Sequence, residues 1–237
     1  MKFYQAIAKY YDQIFPLNLA QIPFTLNAIG PQSKKLSILD VGCATGNFAV
    51  ALRNTGADVT AIDLDSTMIQ LAQKKAPDIN FFVLNMLEIS EFFQTFQFDI
   101  ISCYGNTLVH LESENQINSF LRQTRAQLKS GGKLLLQILN YDFILDAGIT
   151  HLPLIENEYL RFERSYRQLE SNKLAFDTRL LLKNTNEILE NSVSLVPLRQ
   201  LELEKLLREC GFSTSAFYNN FSRTAVDRTL PLIAEAE

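Results

Sequence analysis

Residues 38–63 constrain the fold more than any other stretch of this chain, opening with ILDVGCATGNFAVAL and closing with DVTAID. A short β-branched run ends at Asp40 and Val41, and apolar residues resume at helical spacing with Phe48, Ala49, Ala51 and Leu52. A second such run ends on Asp63. That is the pattern of strand, sharp turn, helix and strand. Gly42 and Gly46 supply the turn, because a residue without Cβ takes a positive φ cheaply and lets a ligand approach the backbone. A dinucleotide fingerprint needs G-x-G-x-x-G, but counted from Gly42 its later glycines fall on Ala44 and Asn47. A phosphate loop needs Gly-Lys-Ser/Thr, and Gly46 is followed by Asn47 and Phe48. What remains is Asp40-x-Gly42-x-x-x-Gly46 with Asp63 one strand later. Asp63 can accept from both hydroxyls of a ribose, and Asp40 puts negative charge beside the turn, so a cationic nucleoside suits the arrangement better than a polyanion.

These residues resemble the first motif of class I S-adenosylmethionine-dependent methyltransferases, in which Asp63 matches the ribose-binding acid. Other segments share the likeness. Tyr10, Tyr11 and Asp12 are similar to an A-x-x-Y-D segment whose aromatic residue helps to close the cofactor site, although Tyr10 and Tyr11 also suit plain amphipathic packing. Asn85 and Met86 stand where relatives carry an acid and an apolar residue beside the adenine; the Asn85 carbonyl can still accept from an amine, and a turn role fits it equally. Residues 103–111, CYGNTLVHL, resemble the G-N-S-x-x-H-L segment of the glycine N-methyltransferase group, with Thr107 replacing the serine. Residues 139–142, LNYD, do so as well, which makes Asn140 and Tyr141 candidate substrate contacts or turn residues.

The resemblance implies S-adenosyl-L-methionine as cofactor, contacted by Asp40, Gly42, Cys43, Ala44, Gly46, Asp63, Leu64, Asn85, Met86 and Cys103. It also implies a methyl pocket shaped by Tyr11, Tyr104 and Asn106. The expected reaction is methylation of a small molecule, with an amine nitrogen as the first choice. Asp63 alone also permits an NAD-linked oxidoreductase, and a non-catalytic nucleoside-binding protein would carry the same pocket. His110 suits either a general base or a helix-start residue.

The rest of the chain reads as α/β. Phe3, Ile7, Tyr10 and Ile14 recur at helical spacing, and a second helix is expected to end near Gly30 and Pro31, so that residues 1–34 form a helical cap. Ser66 is the expected cap of a helix bearing Met68, Ile69, Leu71 and Ala72. Strands are expected at residues 79–84, 98–103 and 133–139. Between the last two lies a helix capped by Ser113, with Ile117, Phe120, Leu121, Thr124 and Leu128 on its core face, running to Lys129.

Residues 151–197 change rhythm into three strand-length runs separated by turns at 170–172 and 184–186, an inserted antiparallel lid. Arg161, Arg164, Arg167 and Arg179 on it could hold a carboxylate, though a solvated sheet face explains them better. After a helix bearing Leu203, Leu206, Leu207 and Cys210, a terminal hairpin is expected over residues 213–220 and 229–235. It resembles the last two strands of class I methyltransferases. The expected fold is one Rossmann-like domain over residues 1–237: a seven-stranded, mostly parallel sheet with helices on both faces, an antiparallel last strand and the small inserted sheet.

Composition narrows the partners. With a net charge of −4 the chain lacks the basic footprint of a nucleic-acid binder. Cys43, Cys103 and Cys210 have no zinc-like spacing, and their odd number favours a reducing compartment. No apolar run approaches a membrane span. The chain therefore reads as a soluble cytoplasmic enzyme acting on a small-molecule methyl acceptor, without metal, nucleic acid or membrane.

Overall fold

A computed structural model describes residues 7–30 and 34–237; Phe3 and Pro31 lie outside the described residues. A 3-10 turn, Ala8–Tyr10, leads into α1 (Tyr11–Ile14), and α2 (Gln21–Leu26) follows. The second helix thus stops short of Gly30. The central elements are β1 (Ser37–Val41), α3 (Asn47–Asn54), β2 (Asp58–Asp63), α4 (Ser66–Lys75), β3 (Asn80–Val83), α5 (Ile89–Phe93), β4 (Phe98–Cys103), α6 (Glu114–Gln127), β5 (Leu128–Leu139) and α7 (Tyr141–Asp146). The inserted sheet is β6 (Ile155–Glu156), β7 (Leu160–Gln168), β8 (Leu174–Leu182) and β9 (Glu187–Leu195). Helix α8 (Gln200–Glu209) and the strands β10 (Ser215–Tyr218) and β11 (Pro231–Ala236) complete the chain.

The main sheet has the order β10-β11-β5-β4-β1-β2-β3. Strand β11 runs antiparallel to both β5 and β10, while the pairs from β5 to β3 are parallel. Strand β1 is buried along its whole length because helices cover both faces, which is why it reads as a continuous apolar run instead of an alternating one. Each Ile or Leu taken out of water there contributes about 1.5–3 kcal/mol. One core lies under α6 and α8 and includes Phe98, Phe120 and Leu207; the other, with Phe24, Phe48 and Leu52, lies under α2 and α3.

Two local expectations are corrected and a third is sharpened. Asp65, not Ser66, caps α4: its side chain accepts from the Thr67 and Met68 N–H groups at 2.8 and 3.2 Å. Helix α6 ends at Gln127, and Lys129 already belongs to β5, whose pairing with β4 shifts register between Phe98 and Ile100. An irregularity of this kind takes up extra residues without ending the strand. Tyr141–Asp146 form α7, so the turn role open to Asn140 is that of a helix cap. Its cap is Asn140, whose Oδ1 accepts from Phe143 N–H at 3.1 Å and whose Nδ2 donates to Asp227 O at 2.9 Å.

The inserted sheet has the order β6-β7-β8-β9, all antiparallel. Leu160, Phe162, Leu180 and Leu182 pack on Ile7 and Ile14 at one end of its inner face, while Tyr166, Leu174 and Leu195 join the main core at the other. The outer face carries Arg161, Glu163, Arg179 and Glu190 in linked ion pairs, the solvated arrangement expected there.

Candidate functional site

The site is built where β1 and β2 end side by side. After Val41 the chain turns through Gly42 (φ 74°), Ala44 (φ 47°) and Gly46 (φ 78°) into α3. The Gly42 and Cys43 N–H groups both donate to Ile62 O, at 2.8 and 3.0 Å. Asp63 fastens the turn: one carboxylate oxygen accepts from Ala44 N–H at 2.8 Å and the other from Asp65 N–H at 2.9 Å. Each oxygen keeps a further lone pair for a ligand. Burial raises the Asp63 carboxyl above its ordinary range, opposed by those backbone donors.

The two glycines serve different neighbours. A Cβ on Gly42 would lie 2.6 Å from Thr107 Cγ2 and 2.7 Å from its Oγ1, so Gly42 makes room for the loop after β4. A Cβ on Gly46 would meet Ala72 Cβ and Phe81 Cζ at 2.9 Å. Gly46 therefore lets α3 settle against α4 and β3, and it lines no part of the cleft described next.

Asp40 is buried at the end of β1. Its Oδ1 accepts from Ser102 Oγ at 3.3 Å, while Oδ2 has no hydrogen-bond partner. Burial, with the nearby Asp63 charge adding to it, pushes this carboxyl from an ordinary 3.8 up to about 7. A buried carboxylate oxygen without a partner is costly, and the wall it occupies belongs to a ligand cleft.

That cleft has two lobes with a common wall of Tyr11, Gly42, Ala44, Gly105 and Thr107. The first, about 500 Å³, is lined by Asp63, Leu64, Leu84, Asn85, Met86 and His110, with Val193 and Ser194 of β9 closing one side. The second, about 580 Å³, is lined by Asp40, Cys43, Thr45, Phe48, Tyr104 and Gln137, and by residues of the N-terminal segment and the 220–222 loop. Both open beyond the carboxyl ends of the parallel strands, where ligands of open α/β sheets bind.

Ten of the thirteen expected site residues line the cleft: Tyr11, Asp40, Gly42, Cys43, Ala44, Asp63, Leu64, Asn85, Met86 and Tyr104. Tyr11 touches both lobes and packs with Phe15 at 5.2 Å between ring centroids. Cys43 is a buried thiol raised above its usual range by burial. The Asn85 carbonyl already accepts from Leu87 N–H at 3.0 Å, so it also serves the turn. Tyr104 presents only its ring, because its hydroxyl is 2.8 Å from Thr25 Oγ1 and is raised by burial.

Three residues stand elsewhere, Gly46 being the first. Cys103 is sealed in the main core. Asn106 lines neither lobe; its side chain accepts from Leu139 N–H at 3.0 Å and donates to Tyr141 Oη at 3.1 Å, tying the loop after β4 to the end of β5. Burial lowers His110 from 6.5 to about 4, so its imidazole is neutral at physiological pH.

Sequence reasoning missed a latch on the cleft. Thr45 Oγ1 donates to Asp12 Oδ1, and Lys75 Nζ bridges Asp12 Oδ2 at 2.6 Å and Asn47 Oδ1 at 2.7 Å. Ala8 and Tyr11 pack beside it on Ala44, Met68 and Leu71. The latch joins residues 33 and 63 positions apart, which no local pattern reveals. Thr107, by contrast, was visible as a substitution within a recognised segment.

Comparison with known proteins agrees with this geometry. Residues 38–132 match the family model described as a methyltransferase domain. Over that stretch the chain matches a methyltransferase domain, and as a whole it resembles class I S-adenosylmethionine-dependent methyltransferases. It is 33% identical over 144 residues to a Geobacillus sp. (strain WCH70) protein named as a methyltransferase, covering 57% of each chain. It is 27% identical over 197 residues to the glycine/sarcosine N-methyltransferase of Aphanothece halophytica, covering 79% of this chain and 70% of that one. This chain thus spans little more than half of the Geobacillus relative. In three dimensions it is similar to an S-adenosylmethionine-dependent methyltransferase of Clostridium acetobutylicum ATCC 824, with a TM-score of 0.81 at 15% identity, over 99% of this chain and 98% of that one.

The methyl donor of this domain is S-adenosyl-L-methionine, and the residues present fit it. The partnerless Asp40 oxygen suits an ammonium group, the open lone pairs of Asp63 suit hydroxyls, and among the described residues neither lobe is lined by a lysine or arginine that would favour a polyphosphate. No helix among the described residues is long and apolar enough to cross a membrane.

Proposed function

We propose that this domain methylates an amine nitrogen of a small molecule. The observation that carries the reading is the pair of lobes with a common wall of Tyr11, Gly42, Ala44, Gly105 and Thr107, Asp63 lining one and Asp40 the other. In this reading Asp63 accepts from the ribose hydroxyls, Leu84 and Met86 flank the adenine, and Asp40 receives the ammonium of the methionine moiety. Tyr11, Gly105 and Thr107 then wall the junction where the reactive methyl group lies. The relatives named for glycine and sarcosine N-methylation support a nitrogen acceptor.

The sulfonium group supplies the electrophile when the cofactor is bound. What this chain contributes is alignment and exclusion of water. The residue 7–14 segment covers one side of the junction, and the inserted sheet, through Val193 and Ser194, closes the other. A neutral amine needs no strong base to attack, and the neutral His110 is in keeping with that. The family match and the antiparallel β11 leave no support for an NAD-linked oxidoreductase.

The test is methyl transfer from isotopically labelled cofactor to a panel of amines, acids and phenols. Label on nitrogen is expected. Label on oxygen or carbon alone contradicts the proposal, and cofactor binding without transfer to any member favours a non-catalytic nucleoside-binding protein.

A further inference from the structure

The second lobe, about 580 Å³, is lined by carboxamides and aromatic rings as well as by Asp40. Asn18, Gln21 and Asn220 reach it from two separate segments, with Phe15 and Phe221 among them. Among the described residues the Gln21 carboxamide makes no side-chain hydrogen bond. Asn18 spends its Oδ1 on Ala20 N–H at 3.0 Å and Asn220 spends its Oδ1 on Ser222 N–H at 2.9 Å. Both Nδ2 groups thus remain to donate, and Gln21 can donate and accept. Carboxamides with open donors beside aromatic faces match a body that carries several hydroxyls and apolar ring faces.

Charge narrows the class further. The acids lining the two lobes are Asp40, Asp63, Asp65 and Glu112, and no lysine or arginine among the described residues lines either. The nearby Arg223 guanidinium is committed: it donates to Glu235 Oε2 at 3.1 Å and Phe24 O at 3.3 Å, and lies 4.3 Å from the Phe24 ring centroid. The cofactor's carboxylate enters beside its own ammonium, but an acceptor reacts with its amine deprotonated, so a carboxylate or phosphate on it leaves a net anion facing Asp40 and Asp63 with no lysine or arginine among the described lining residues. A neutral amine meets no such barrier.

We propose that the acceptor is an amino sugar without anionic groups, held by Asn18, Gln21 and Asn220, and that amino acids and phosphorylated amines are excluded. The proposal rests on the amine reading above. In the step, the nitrogen lone pair forms the new N–C bond as the S–C bond breaks. The bond electrons stay on sulfur, which leaves as the neutral thioether S-adenosylhomocysteine, and the methylated ammonium loses its proton to solvent.

The experiment measures kcat/KM of the full chain with 2-, 3- and 4-amino-deoxyhexoses, glucosamine 6-phosphate, glycine and sarcosine. At least one neutral amino sugar is expected to exceed glycine, sarcosine and the 6-phosphate by 100-fold or more. Gln21→Ala is expected to raise KM for that sugar about tenfold, with kcat and S-adenosylhomocysteine affinity unchanged. Asn220→Ala, in a different segment, provides the same readout should the first variant fail to fold. Glycine or the 6-phosphate as the better acceptor overturns the amino-sugar proposal and leaves the amine reading standing. Tight S-adenosylhomocysteine binding with transfer to no amine overturns the amine reading itself.

Discussion

Gly42→Ala tests the fit between the glycine turn and the loop after β4. The new Cβ would meet Thr107 Cγ2 at 2.6 Å, Oγ1 at 2.7 Å and Cβ at 3.1 Å, at a backbone φ of 74°. The left-handed conformation costs an alanine roughly 1–2 kcal/mol, and displacing a packed neighbour adds about 1–3 kcal/mol. A total of about 3 kcal/mol lowers the Tm of a protein of this size by about 6–12 °C. Gly56→Ala is the control, because φ there is 97° but nothing lies within 4 Å of the added Cβ, so only the backbone strain remains. Thr107→Ala in the Gly42→Ala background removes the two nearest atoms and is expected to recover about 1–2 kcal/mol as a coupling term. Urea unfolding of the four members of that cycle, with Gly56→Ala alongside, gives the numbers. Equal losses for Gly42→Ala and Gly56→Ala, or strict additivity with Thr107→Ala, would refute the reasoning.

Asp40 carries a pH dependence. Its folded pKa of about 7 lies above the ordinary 3.8, so the folded state holds the proton more tightly than the unfolded one. This contribution to stability is fully present below about pH 4 and is lost as pH rises through about 7; a Tm–pH profile should show the decline, and Asp40→Asn should flatten it. Because an ammonium favours the ionised carboxylate, S-adenosylhomocysteine should bind with proton release near pH 6, seen as a buffer-dependent heat. A heat identical in buffers of different ionisation enthalpy would count against that pairing. For the latch, Lys75→Met is expected to speed S-adenosylhomocysteine release two- to fivefold, the range for a half-exposed ion pair of about 0.5–1 kcal/mol. Stopped-flow displacement measures it, and an unchanged rate removes the latch from cofactor exchange.

The strands of the main sheet were legible because most are short apolar runs ending in a turn signal, and the strand-length runs between the turns at 170–172 and 184–186 set the inserted sheet apart; the order of the strands was not. Local chemistry was legible where one short segment holds it all: Asp40, Gly42, Ala44 and Asp63 fall within one βαβ unit and meet as expected. The reading weakened where a residue's partner comes from a distant segment. Asn106 has the residue type of a substrate contact, yet the end of β5 claims its side chain at Leu139 and Tyr141. Gly46 looks like a ligand-facing glycine until Ala72 and Phe81 are seen to fill the space beside it. Asp12 reads as the end of a motif, and only the fold brings Thr45 and Lys75 to it. Asp65 was within reach, since Asp and Ser are both strong caps and stand side by side before α4.

We propose above all that S-adenosylmethionine binds in the cleft lined by Tyr11, with Asp63 on its ribose. Calorimetric titration of the full chain and of Asp63→Ala with S-adenosylhomocysteine tests it most directly. Saturable one-site binding is predicted, weakened at least tenfold by the substitution, about 1.4 kcal/mol, while the variant keeps a cooperative melt. No binding to the unaltered protein, or equal affinity in a folded variant, would contradict it.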